Sequence, residues 1–267
     1  MIGFNHLGKM GQLGNQMFQY AATKGIAKKI GTDFIIPDHK EVVVDALGNK
    51  LRVELFSAFK LDPHNRGILN VSSDSYVQET KFEFDDGFFN LDPKNDFSLL
   101  GFFQTEKYFK HIESEIREDF AFQDQYVNEC ADIVDQFDNP IALHIGRGDF
   151  LINSANHANL PLGYYEAALQ QFDGSRQVVI FSDDSKWCKE QPLFADDRFI
   201  VSEENGPYHD LYLMSKCSDF IIANSTFSWW GAWLANTGKV VAPVLWFGPN
   251  NADKSTKDLY LEDWVIL

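Results

Sequence analysis

The sequence predicts an α/β protein whose C-terminal half is a parallel sheet with helices on both faces. Three observations carry this prediction. From residue 141 onward, short apolar runs alternate regularly with helical segments. Polar clusters recur where those runs stop: His144-Ile-Gly-Arg-Gly-Asp149, Ser182-Asp-Asp184 and Asn224-Ser-Thr226. The run Asp219-Phe-Ile-Ile-Ala-Asn-Ser-Thr-Phe-Ser-Trp-Trp-Gly-Ala-Trp233 reads as a buried strand, a tight polar turn and a helix.

Taken in order, residues 2–7 form a first short strand. A glycine-rich turn, Gly8-Lys-Met-Gly-Gln-Leu-Gly14, leads into a helix over 16–30. Phe18, Ala21, Ala22, Ile26 and Ile30 fall near helical spacing, and Gly31 caps the end. Residues 33–36 are a second strand. Between 38 and 100 the chain is rich in Phe, Asp and Asn and has no clear period, so short elements and irregular loops are expected. Helices follow over 106–120 and 124–137. The regular part then runs through strands at 141–145, 177–182, 199–202, 220–223 and 239–242. Between them lie helices at 162–173, 184–189, 207–216 and 229–236, with Pro207 in a first turn and Gly238 as a stop. Asp138-Asn-Pro140 marks a boundary between domains 1–138 and 139–267.

At 267 residues with 45% hydrophobic content, the chain can bury a full core. Its net charge is −16, from 39 acidic against 23 basic residues. That excludes nonspecific nucleic-acid binding and attraction to anionic membranes, so an anionic ligand needs local donors. The cysteines, Cys130, Cys188 and Cys217, are odd in number and far apart. They read as buried thiols in a reducing compartment rather than a disulfide framework or zinc site. No apolar run approaches the ~18 residues of a membrane span, and Met1-Ile-Gly-Phe-Asn-His6 lacks the pattern of a signal peptide. A cytoplasmic protein is expected. The sequons at Asn70 and Asn224 are then chance matches.

Three polar clusters at neighbouring strand ends would line one edge of one sheet, where open α/β sheets bind ligands. The turn at Asn224, Ser225, Thr226 and Phe227 opens a helix whose free N–H groups suit a phosphate, though the same residues serve as an ordinary N-cap. Asp183 and Asp184 read equally as helix caps, and His144 as a hydrogen-bonded core histidine. Trp229, Trp230 and Trp233 fall at helical spacing and read as core in preference to sugar-stacking rings. The first glycine turn matches neither G-x-G-x-x-G nor a P-loop.

Together these pieces resemble the bacterial α-1,2-fucosyltransferases of glycosyltransferase family 11. The matching stretches are Gly11-Gln-Leu-Gly-Asn-Gln-Met-Phe-Gln-Tyr-Ala21, Gly101-Phe-Phe-Gln-Thr-Glu-Lys-Tyr-Phe109, His144-Ile-Gly-Arg-Gly-Asp149, Phe181-Ser-Asp-Asp184 and Ile221-Ile-Ala-Asn-Ser-Thr-Phe-Ser-Trp-Trp-Gly-Ala-Trp-Leu234. The resemblance implies a GT-B type fold, two Rossmann-like halves facing across a cleft, with an acceptor-side N-terminal domain and a donor-binding C-terminal domain. It implies inverting transfer of L-fucose from GDP-β-L-fucose to a hydroxyl, usually the 2-OH of a terminal β-galactoside, with no bound metal or other cofactor. Polysaccharide assembly fits the same analogy. The implied partners are a GDP-sugar and a β-galactoside-containing glycan.

Carried over by the resemblance, Arg147 faces the pyrophosphate and offsets charge on the leaving GDP. His144 bonds the same region, and Asp149 pairs with Arg147 or serves as the base. Asp183 and Asp184 contact guanine or ribose. Asn224, Ser225, Thr226 and Phe227 cradle phosphate, while Asn15 and Gln16 close on the donor from the N-terminal half. The family motif His-x-Arg-Arg-x-Asp has Gly146 in place of its first Arg here. Val244-Leu245 and Asp219 stand where the family tends to carry basic residues and a His. Arg176 or Lys254 would have to compensate. Otherwise the chain is a slow enzyme, a transferase for another GDP-sugar, or a noncatalytic nucleotide-sugar or glycan-binding relative.

Overall fold

The computed structural model describes residues 1–203 and 205–267. The chain forms two compact units. Unit 1 comprises Met1–Gln123 with Lys254–Leu261, and unit 2 comprises Asp124–Asp253 with Glu262–Leu267.

In unit 1, β1 (Ile2–Gly3) leads through the glycine turn to α1 (Leu13–Ile30), then β2 (Phe34–Ile35). The hairpin β3 (Val43–Val44) and β4 (Lys50–Leu51), α2 (Leu55–Ala58), β5 (Tyr76–Gln78), β6 (Phe97–Leu100) and α3 (Glu113–Asp119) follow. The main sheet is parallel in the order β2-β1-β6-β5. Helix α1 starts earlier than the sequence spacing predicts, because Leu13 and Gly14 are already buried in its first turn. It ends as expected on Gly31, at φ 76°, whose N–H reaches the carbonyls of Ala27 and Lys28. The helix expected over 106–120 is two 3-10 turns and then α3. Tyr108 and Phe109 are both fully buried, and Phe109, at φ −131° and ψ 0°, breaks the helical run. Phe4, Phe18, Phe59, Phe103 and Phe120 complete an aromatic core.

Unit 2 begins with α4 (Asp124–Glu129) and α5 (Ala131–Val134), a pair interrupted at the buried Cys130. Then come β7 (Ile141–Ile145), α6 (Gly148–Ile152), α7 (Leu162–Leu169), β8 (Val178–Ser182), α8 (Ser185–Lys189), β9 (Phe199–Val201) and α9 (Pro207–Met214). The unit closes with β10 (Asp219–Ile221), α10 (Thr226–Ala235), β11 (Val240–Ala242) and β12 (Val265–Ile266). All six strands are parallel, in the order β12-β11-β10-β7-β8-β9. The division between units falls at 123/124 and not at 138/139, because α4 packs on α9. Tyr126 meets the rings of Tyr208 and His209 edge-on, and Glu129 accepts from His209 Nε2 at 2.6 Å.

One face of the unit 2 sheet buries Ile141, Leu143, Ile145, Val178, Ile180, Ile221 and Val241 under Tyr164, Tyr165, Ala168 and Leu169 of α7. Trp229, Trp230 and Trp233 are buried and pack with one another, and Trp229 also meets Trp264. They are core. Helix α10 begins at Thr226, ahead of the expected Trp229, and ends on Asn236 at φ 53° rather than at Gly238. The three cysteines are free and buried. Among the described residues no helix is long and apolar enough to cross a membrane.

Candidate active site

The order of the unit 2 sheet reverses between β7 and β10: β8 and β9 lie on one side of β7, β10 to β12 on the other. In open α/β sheets the crevice outside the carboxyl ends of such a pair is where ligands bind. The three polar clusters sit there. His144 and Arg147 leave β7, Asp183 and Asp184 leave β8, and Ser225 opens α10 after β10.

Arg147 is held from several directions. Asp183 accepts the backbone N–H groups of Arg147 (2.8 Å) and Gly148 (2.7 Å). Asp184 accepts from Arg147 Nε at 3.0 Å and from Trp187 N at 3.1 Å, the latter as N-cap of α8. The guanidinium lies 3.8 Å from the centre of the Trp187 ring. The Arg147 hydrogen bond first, and the Trp187 N–H after it, hold the Asp184 carboxyl below its ordinary range. The carboxylate on the guanidinium is therefore Asp184, where the sequence pointed to Asp149, which lies in the first turn of α6. Both aspartates read as nucleotide contacts are used to fix the arginine. Spacing could not reveal this, because Arg147 and Asp184 are separated by a whole βα unit and meet only when β7 pairs with β8.

His144 spans the switch point. Its Nδ1 lies 3.0 Å from Ser228 Oγ, and that hydroxyl donates to Ser225 O at 3.3 Å. With the serine proton committed, Nδ1 is the donor and Nε2 the acceptor of a neutral ring. Burial pushes the ring's pKa down to about 4, against a smaller upward pull from Asp183. A neutral His144 adds no charge to a phosphate site. It fastens the start of α10 to β7, and the Phe227 ring lies against it at 5.7 Å.

The Ser225 hydroxyl accepts from Phe227 N at 3.3 Å as N-cap of the ten-residue α10. Thr226 and Ser228 carry first-turn N–H groups with no intrahelical acceptor, at the positive end of the helix dipole. Asn224 is buried and donates to Ala158 O and Trp246 O, at 2.8 and 2.9 Å. Its side-chain amide ties loops together, with both N–H groups used.

Of the residues read from unit 1, Gln16 is fully occupied. It donates to Gly11 O (3.2 Å) and Arg52 O (2.8 Å) and accepts from Glu54 N (2.9 Å). It holds the glycine turn. Asn15 accepts from Gln104 Nε2 at 2.8 Å; Gln104 lies inside a matching stretch, but its spacing from Asn15 gives no sign of the contact.

At Gly146 an added Cβ would sit 2.5 Å from the Phe150 ring, so this loop has no room for the missing Arg while Phe150 stays. Arg176 does not replace it. That residue pairs with Asp219 at the amino end of β10 and donates to Asn139 O, on the far edge of the sheet. Lys254 belongs to unit 1. Val244 and Leu245 are exposed. Among the described residues no three His, Cys, Asp or Glu side chains gather as a metal site.

The family model described as Glycosyl transferase family 11 matches residues 1–267. The O-antigen biosynthesis glycosyltransferase WbnK of Escherichia coli is 31% identical, over 94% of this chain and 97% of that protein. An Escherichia coli alpha-1,2-colitosyltransferase is 30% identical over 96% of each. Galactoside alpha-(1,2)-fucosyltransferase 1 of Alouatta caraya is 26% identical over 84% of this chain and 63% of its own length. Among solved structures, a point mutant of Arabidopsis thaliana FUT1 in complex with GDP matches with TM-score 0.53 and 10% identity, over 90% of this chain and 69% of that one. Fucosyltransferase NodZ from Bradyrhizobium matches with TM-score 0.50 and 10% identity, over 85% and 90%. At such identities the likeness is one of fold, the GT-B type anticipated from the sequence. With the whole chain matched by one family model and two relatives aligned over almost their full lengths, the protein belongs to glycosyl transferase family 11 and is a glycosyltransferase.

Proposed function

We propose that this enzyme transfers L-fucose from GDP-β-L-fucose to the 2-OH of a terminal β-galactoside in a glycan, with inversion and without a bound metal. Unit 2 takes the donor and unit 1 the acceptor. The observation that carries the reading is the fixed guanidinium of Arg147. Its Nε is committed to Asp184 and its face to Trp187, while its terminal nitrogens have no protein acceptor among the described residues. Such a fork suits a phosphate bidentately. It stands at the same sheet edge as the N-terminus of α10, whose amides can share the charge that builds on the departing diphosphate. The protein thus supplies local donors against its own net charge of −16. In-line placement of the acceptor hydroxyl supplies the rest of the rate.

The test is calorimetric titration with GDP, with UDP as control and EDTA present, followed by GDP-fucose turnover on a β-galactoside. Selective GDP binding in EDTA, and an α-linked product from the β-linked donor, are expected. Loss of GDP binding on chelation would overturn the metal-free part. A second reading, another GDP-sugar as donor, is favoured by the alpha-1,2-colitosyltransferase among the relatives. GDP binding without turnover of GDP-fucose would bring it forward.

A further inference from the structure

In unit 1, β1 and β6 are neighbours in the parallel order β2-β1-β6-β5, so the loops that leave their carboxyl ends meet at the edge of the sheet where open α/β proteins bind ligands. Two glutamine side chains tie the loops there. Gln19, on α1, donates Nε2 to Met10 O (3.0 Å) in the loop after β1 and to Gly101 O (3.2 Å) in the loop after β6. Gln104, from the loop after β6, donates Nε2 to Asn15 Oδ1 at 2.8 Å.

In both amides the nitrogen is used and the oxygen is not. Oε1 of Gln19 and Oε1 of Gln104 are buried with no hydrogen-bond partner, and Nδ1 of His6, in the loop after β1, is in the same condition. Gln19 is 0% exposed and Gln104 8%. An unsatisfied buried acceptor forfeits its solvation with nothing in return, so several at one sheet edge call for an explanation. The backbone that presents Gln104 is strained as well. Phe103 has φ 54°, left-handed for a residue with a side chain. Glu79, just past the carboxyl end of β5, holds that conformation by accepting the N–H groups of Phe102 (2.8 Å) and Phe103 (3.0 Å).

We propose that Gln104, backed by Gln19, recognises a sugar hydroxyl in the crevice between the carboxyl ends of β1 and β6; on the fucosyl-transfer reading, on which this rests, that sugar belongs to the acceptor glycan. The argument is one of sign. The unpartnered glutamine atoms are acceptors only, so the ligand must bring donors, and an anion would meet oxygen lone pairs. A neutral polyhydroxylated molecule fits. Gln104 keeps 8% of its surface exposed, and it reaches a hydroxyl by turning its amide about the soft terminal torsion. Asn15 and Glu79 are positioning residues for that amide.

The probe is methyl β-D-galactopyranoside, titrated into the full chain by saturation-transfer NMR, with GDP affinity measured on the same preparations. Wild type is expected to bind the sugar. Gln104→Leu is expected to weaken sugar binding at least tenfold with GDP affinity within twofold. Gln104→Glu, which keeps an acceptor oxygen for the sugar if Asn15 turns its amide to donate, is expected to bind the sugar. Should the leucine variant fail to fold, Gln104→Met has the same length and the same expected loss. Unchanged sugar binding in the apolar variant, or no sugar binding by a wild type that binds GDP, overturns the proposal. A wild type that binds the galactoside but not GDP would overturn the donor reading and leave the sugar site standing.

Discussion

Two residues show how local chemistry sets behaviour that can be measured. Arg147→Ala should lower kcat roughly 10²–10³-fold in initial-rate assays, the range for removing one preorganised donor from developing charge. Arg147→Lys should recover little, because a point charge cannot keep the Asp184 bond, the Trp187 stack and a fork on phosphate at once. Full turnover in the alanine variant would remove Arg147 from leaving-group stabilisation. Glu79 makes a prediction about pH. Burial is the largest influence on it and raises its pKa to about 7, while the Phe102 and Phe103 amides pull the other way. The unfolded chain ionises first, so stability should fall as pH rises from about 4.5 to 7 and level off beyond. His144 acts in the opposite sense. Its folded value of about 4 lies below the ordinary 6.5, so its contribution falls as pH drops through that window. Melting temperatures at pH 5, 6, 7 and 8 should decline toward neutrality less steeply in Glu79→Gln than in wild type. Equal slopes would mean that the carboxyl is not held protonated.

At the scale of elements, two helical glycines separate a rigid neighbour from a soft one. A Cβ on Gly25 of α1 would run into the backbone carbonyl of Tyr108, whereas one on Gly231 of α10 would meet only the Met214 side chain. Gly25→Ala should therefore cost about 3 kcal/mol or more in chemical denaturation, the upper end for overpacking. Gly231→Ala should stay within about 1 kcal/mol, because the methionine can move and alanine gains helix propensity. Similar losses at both sites would mean that the Tyr108 turn gives way as easily as a side chain. Such contrasts bear on what was legible before the structure. The unit 2 strands are readable because residues 141–143 and 178–181 are short apolar runs closed by the polar His144 and Ser182. Helix α10 starts ahead of the expected Trp229 because Thr226 and Ser228 look like turn residues until Ser225 is seen to cap them. Helix α6 escaped notice because its five residues open on Gly148 and follow directly from the strand loop. The polar strand ends were visible, but the partner of each was not. Arg147 to Asp184, His144 to Ser228 and Gln104 to Asn15 are all contacts that only the folded chain brings together. Phe103 carries no sequence sign of its left-handed backbone.

At the scale of the whole molecule, the chain does not pass once from unit 1 to unit 2. It returns to unit 1 for Lys254–Leu261 and then closes unit 2 with β12. The returning segment brings Asp258, a buried carboxylate that accepts from Phe84 N (3.0 Å) and pairs with Lys107. The last segment brings Trp264 against Trp229 and adds the strand beside β11. A chain cut after Asp253 should therefore damage both units, with lowered melting temperature and early proteolysis within 80–110 as well as around α10. Retention of a native-like unit 1 in that truncation would show that Asp258 is dispensable. The same return has a consequence for synthesis. Residues 254–261 leave the ribosome after nearly all of unit 2 has been made. Unit 1 begins at the first residue, yet its last segment is made only just before the last segment of unit 2. A nascent chain must carry an incomplete N-terminal unit, with Lys107 lacking its carboxylate, until the later half has emerged.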